Sequence, residues 1–139
     1  NFASIMQANE AAWRTPQDTD VFLDRVRDAM MSSIERGCRH DGILPGGLQV
    51  RRRAPALNRQ LGGKASRGDA FEALDWVSLY ALAVNEENAA GGRIVTAPTN
   101  GAAGVIPAVL KYFEEFRSET TPKKSREFLL TAAAIGILY

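Results

Sequence analysis

"GGRIVTAPTNGAAGVIPAVL", residues Gly91–Leu110, decides how the chain reads. It holds the one strand candidate, "RIVTA", followed by Pro98 and Asn100-Gly101, which open an apolar helical pattern. Six glycines or prolines interrupt those 20 residues, an odd composition for the middle of a helix or strand. No other segment alternates with the period of two that a partner strand requires. The expected fold is therefore all-α, a single helical domain of about five main helices with a long Gly/Pro-rich loop.

Outward from that stretch, apolar residues recur at helical spacing. "FASIMQANEAAW" (residues 2–13) puts Phe2, Ile5, Met6, Asn9 and Trp13 on one stripe. "TPQD" is a start signal: Thr15 as N-cap, Pro16 as first helical residue, and Asp18 where its charge meets the positive helix end. The second helix places Val21, Phe22, Val26, Ala29, Met30, Ser33 and Ile34 inward and stops at Gly37. Gly and Pro punctuate residues 39–68, so an irregular connection is expected, with a short helix around Ala54–Leu61. A third helix runs from its cap Asp69 to Ala90, with Phe71, Leu74, Val77, Ser78, Ala81, Leu82 and Asn85 facing inward. A fourth covers Ala102–Phe116, where Pro107 should kink it unless local structure compensates. A fifth begins after Thr121-Pro122 and leaves through Tyr139, inside the apolar run "FLLTAAAIGILY". That run is too short for a bilayer span, which needs ~20 residues. The ends predict a piece excised from a longer polypeptide.

Composition narrows the function classes. Of 139 residues, 45% are hydrophobic and 24% charged, as in a globular domain. A formal net charge of +1 argues against wholesale binding of nucleic acid or an anionic membrane. "RRRA" (Arg51–Ala54) lacks interleaved aromatics, so pairing with acidic helix faces is its default role. The single cysteine, Cys38, excludes an internal disulfide and reads as a small half-buried thiol in a reducing compartment. Lys64 lies in no Ser-x-x-Lys or pyridoxal-lysine context and reads as solvated.

The candidate site is the entrance to the fourth helix. The first N–H groups of a helix have no intrahelical partner, and its dipole leaves that end partly positive. Gly101 and the neighbouring alanines let a small anion approach the backbone. Thr96, Thr99 and Asn100 add hydroxyl and amide groups able to bind a carboxylate or an amine. The plainer alternative is that Thr99 or Asn100 only caps the helix. Just upstream, Asn85 is expected to face inward and to need partners. Glu86 or Glu87 is a candidate general base or amine contact, with at least one of the two at a solvated helix end. His40, the single histidine, reads first as a cation near a helix C-terminus and second as a base.

"DWVSLYALAVNEENAAGGRIVTAPTNGAAGVIPAVL" (Asp75–Leu110) and "SIERGCRHDGILPGGLQVRRRA" (Ser33–Ala54) resemble the α domain of the bacterial iron–sulfur L-serine dehydratases. The resemblance extends over nearly the whole chain. It implies a helical, cytoplasmic enzyme that converts L-serine to pyruvate and ammonia by loss of water and hydrolysis of the enamine. It also implies a [4Fe–4S] cluster whose cysteines lie beyond the point matching Tyr139, so that this segment alone binds no cluster and is inactive. Thr96, Thr99, Asn100 and Gly101 would then contact the substrate, with His40 and Glu86 as lesser candidates for the base. The implied partners are L-serine, the N-terminal domain and C-terminal cluster segment of the same polypeptide, and a second copy in a homodimer, with neither nucleic acid nor membrane. The competing readings are a non-catalytic helical interaction domain and a pyridoxal-phosphate dehydratase. The latter fits poorly, lacking a doubly wound core and a substrate-loop lysine.

Overall fold

A computed structural model describes residues 1–63, 65, 68, 70–96 and 99–138, with the backbone alone for Ala70 and Asn100. The expectations for Lys64, Asp69, Pro98, Tyr139 and the side chain of Asn100 lie outside the described residues. Among the described residues six helices form in order: α1 (Phe2–Glu10), α2 (Pro16–Arg39), α3 (Ala54–Gly62), α4 (Ala70–Ala89), α5 (Asn100–Phe116) and α6 (Pro122–Gly136). Among the described residues no strand forms, and Ile43 and Arg51 make a single antiparallel bridge. The all-α expectation holds, and residues 93–96 of "RIVTA" are neither helix nor strand. The chain divides into two compact units, Asn1–Asp28 with Phe113–Tyr139, and Ala29–Tyr112.

In the first unit, α1 packs on α6, and Ala3, Leu23, Leu129 and Leu130 are buried. Local caps set the helix starts. Asn1 Oδ1 accepts from Ser4 N at 2.9 Å. Thr15 Oγ1 accepts from Asp18 N at 3.2 Å and donates to Asp18 Oδ2 at 2.7 Å, which is the cap read from "TPQD". Thr121 Oγ1 caps α6 through Lys124 N at 3.3 Å. The stripe expected for the first helix is not an inward one: Phe2 and Ile5 are exposed, and Trp13 lies beyond the helix end at 84% exposure. Val21 and Phe22 are likewise exposed, and Leu23 with Thr19 points inward instead. Helix α6 ends at Gly136, with Ile137 as its cap, rather than continuing to the terminus. Arg126 joins the unit's helices by a fork to Asp24 (2.8 and 2.6 Å) and a bond to Asp20 (2.6 Å).

The second unit is built around α4. Its core contains Ile34 from α2, Ala54 and Leu61 from α3, Leu79, Tyr80, Ala83 and Val84 from α4, and Ala108 from α5. Helix α2 runs on past Gly37 to Arg39, because Gly37 serves a crossing rather than a stop. A β-carbon there would stand 2.8 Å from Ala83 Cα and 2.6 Å from its carbonyl carbon. Gly104 likewise brings α5 against α4: a β-carbon on it would lie 3.2 Å from Ala81 O and 3.1 Å from Asn85 Oδ1. Pro107 sits fully buried inside a continuous α5, so no break interrupts the helix there.

The inward face of α4 differs from the expected one. Phe71 and Leu74 are 73% and 62% exposed, and Ser78 and Asn85 are exposed as well. Val77, Ala81 and Leu82 do pack against the core. The cause is visible in "WVSLYALAV" (Trp76–Val84): apolar residues occupy most of the circumference, so spacing does not single out a face.

Candidate functional site

Thr99 is the residue on which α5 starts. Its carbonyl accepts Ala103 N at 3.0 Å, and its hydroxyl accepts Ala102 N at 3.3 Å, so it caps the helix as the plainer reading required. The N–H groups of Asn100 and Gly101 precede the first intrahelical bond, and by helix geometry they have no carbonyl partner within α5. Thr96, Thr99 and Gly101 are all exposed. None of these three is packed over the helix end, where the dipole favours an anion. Asn85, expected to face inward, is exposed, with its amide beside Gly104 on the α4–α5 contact.

The acidic pair at the end of α4 has a different role from the expected one. Glu86 and Glu87 are each only 4% exposed, so neither is a solvated helix end. Glu86 receives Arg53 N on Oε1 at 2.8 Å and Ala54 N on Oε2 at 3.1 Å. Arg53 is the N-cap position of α3 and offers no side-chain cap of its own. Glu86 thus supplies from 33 residues away the acceptor that a local Ser or Asp would normally give. A carboxylate committed to two backbone donors is a cap first, and the base role suggested for Glu86 loses its support.

Glu87 gathers cations. Arg36 Nε bonds Glu87 Oε1 at 2.8 Å, and Arg52 Nη1 reaches Oε2 at 3.3 Å. Burial pushes the Glu87 carboxyl upward, but the bonds to Arg36 and Arg52 outweigh it and hold the group below its ordinary range. His40 is 60% exposed, with Nδ1 3.9 Å from Glu87 Oε2, beyond hydrogen-bond reach. The loop between α2 and α3 is pinned by this cluster and by its own ladder, Leu44 N to Val50 O at 2.7 Å and Arg52 N to Gly42 O at 2.9 Å. Gln49 takes a positive φ of 51° at its tip. Arg52 and Arg53 pair with Glu87 and Glu86, as expected for basic residues facing an acidic helix end.

Cys38 is half-buried against the core of the second unit. A [4Fe–4S] cluster needs three or four thiolates, and one thiol does not provide them. Among the described residues, no group of three His, Cys, Asp or Glu side chains is arranged to hold a metal ion. The donor set of this chain does not fit such a cluster. In the first unit, a cavity of about 460 Å³ is lined by Asp24, Arg27, Glu114, Thr121 and Ser125 among others. Its charges already face one another: Arg27 forks onto Glu114 at 2.7 and 2.6 Å, and Ser125 Oγ donates to Glu114 at 2.6 Å. Among the described residues, no helix is long and apolar enough to cross a membrane.

Residues 1–139 fit the model of the family described as serine dehydratase alpha chain. L-serine dehydratase TdcG of Escherichia coli (strain K12) is 47% identical over 140 residues, covering 100% of this chain and 31% of that protein. L-serine dehydratases of Haemophilus influenzae and Streptomyces coelicolor are each 49% identical, over 99% and 100% of this chain and 30% of their own lengths. The chain thus spans less than a third of the curated relatives it matches. It belongs to the serine dehydratase alpha chain family.

Proposed function

We propose that this chain is the part of an L-serine dehydratase that binds the amino acid, and that the whole polypeptide converts L-serine to pyruvate and ammonia. The observation that carries this is the match over residues 1–139 to relatives bearing that name. The exposed, capped start of α5 supports the binding role. In this reading the N–H groups of Asn100 and Gly101 hold the substrate carboxylate. The hydroxyls of Thr96 and Thr99 and the amide of Asn100 orient the carboxylate and the amine. Asn85, exposed beside Gly104, is a further contact. The overall change loses one water across Cα–Cβ and takes one up when the enamine is hydrolysed.

The iron–sulfur cluster belongs to the remainder of the polypeptide, in a cytoplasmic enzyme. The isolated segment is inactive for the same reason. A purely non-catalytic interaction domain is the second reading, favoured by the exposed Phe71 and Leu74 on α4. Assay of the whole polypeptide decides between them. Pyruvate formed from L-serine, with Asn100→Ala lowering kcat/KM at least ~10-fold (about 1.4 kcal/mol), supports substrate binding. Turnover unchanged by Asn100→Ala and Thr99→Ala would leave Thr99 as a cap and Asn100 with no part in binding, and absence of turnover would leave the interaction domain.

A further inference from the structure

After α4, residues 92–96 are neither helix nor strand, so their polar backbone groups depend on specific partners. Two residues at the beginning of that segment are fixed. Gly92 N donates to Glu87 O at 2.9 Å, and a β-carbon on Gly92 would stand 2.7 Å from Glu87 Cγ. The carbonyl of Arg93 accepts from Nη2 of Arg36. The same guanidinium uses Nε to bond Glu87 Oε1 at 2.8 Å. Arg36 therefore ties α2, the buried carboxylate of α4 and the outgoing segment together with one planar group, three residues before Thr96.

We propose that Arg36 is a positioning residue for the substrate contacts that begin at Thr96, acting through the Arg93 carbonyl and held in its own place by Glu87. The assignment rests on the reading of those residues as substrate contacts. Only arginine suits the task, because its fork donates in two fixed directions at once, whereas a lysine ammonium is a point donor on a flexible stem. Glu87 makes the arrangement rigid: burial and the second bond from Arg52 restrict its carboxylate, so the Nε of Arg36 has one place to go. A displaced Arg93 would move the substrate-binding groups without altering their chemistry. Ground-state binding should therefore suffer more than the chemical step.

The test uses the whole polypeptide in three forms, wild type, Arg36→Lys and Arg36→Ala. It measures L-serine kinetics alongside backbone amide hydrogen exchange over residues 92–96. The expected result is a rise in KM of at least ~10-fold in both variants, kcat changing far less, with faster exchange at 92–96. Arg36→Lys keeps the positive charge beside Glu87 and stands alone if Arg36→Ala does not fold. A role confined to stability would lower the melting temperature and leave KM unchanged well below it. Unchanged KM in both variants, while Asn100→Ala raises KM, would overturn the positioning role and leave the substrate reading intact. If Thr99→Ala and Asn100→Ala also leave KM unchanged, the substrate reading fails. Exchange at 92–96 then decides: faster exchange upholds the tether, and unchanged exchange overturns it.

Discussion

Gly37 and Ala83 touch backbone to backbone, where α2 crosses α4. The hydrogen of Gly37 occupies a space in which a β-carbon would sit 2.8 Å from Ala83 Cα, closer than any real contact between carbons. Neither partner is the tip of a flexible side chain, so a methyl group there can be accommodated only by moving a helix. Gly37→Ala should destabilise the protein by about 1–3 kcal/mol, although alanine is the better helix former. Thermal melting of the whole polypeptide checks this. A melting temperature equal to or above that of the wild type would mean that the two helices separate easily.

Glu86→Gln distinguishes a cap from a base. The amide keeps one oxygen for Arg53 N or Ala54 N and turns a donor toward the other, so the start of α3 should loosen. The expected cost is on the order of 1–2 kcal/mol, comparable with removal of a good N-cap, with faster amide exchange over residues 53–57. Were Glu86 the general base, turnover would fall by at least ~10²-fold with exchange at α3 unchanged.

Acid should attack the Glu87 cluster. Its carboxyl is held below the ordinary range in the folded protein, burial opposing and Arg36 and Arg52 prevailing. A group whose folded pKa is depressed adds stability above its unfolded pKa, about 4.3 for glutamate, and loses it as pH falls through the folded value. Stability should therefore decline below about pH 4. Glu87→Gln should be less stable at pH 7 and show a shallower decline on acidification. Denaturant titrations between pH 3 and 7 on the two proteins would show it, and parallel curves would place the acid sensitivity elsewhere.

Thr15→Ala should cost about 1 kcal/mol by removing the acceptor for Asp18 N. Asp18→Asn, which keeps the backbone bond and removes the charge at the helix start, should cost less, roughly 0.3–1 kcal/mol. Equal losses would assign the effect to charge rather than to the hydroxyl.

What the sequence made legible was local. Thr15, Thr121 and the run of small residues after Thr99 announce helix starts within four positions of themselves, and those starts are where they were expected. The helix entrance was legible to the same degree: Thr96, Thr99 and Gly101 lie exposed there, and their contact with a substrate is the proposal made above. The failures were of two kinds. Apolar residues around most of α4 concealed its inward face, so Phe71, Leu74 and Asn85 were assigned to the core and lie exposed. Long-range partners concealed Glu86 and Glu87: nothing near them announces that one caps a helix 33 residues upstream and the other binds an arginine 51 residues upstream. Gly37 looked like a stop because glycine commonly is one, and its neighbour across the crossing is invisible in the linear order.

The cap that Glu86 provides also sets an order of assembly. Helix α3 has nine residues, fewer than an isolated helix needs to persist in water, and its capping carboxylate lies in a later part of the chain. On a ribosome, α3 leaves the exit tunnel while Glu86 is still inside it, so that stretch must wait as open chain until α4 has emerged. A pause in translation while residues 63–86 are still inside the tunnel would prolong that exposure, and nascent chains arrested at that length should be cleaved by protease within residues 40–62.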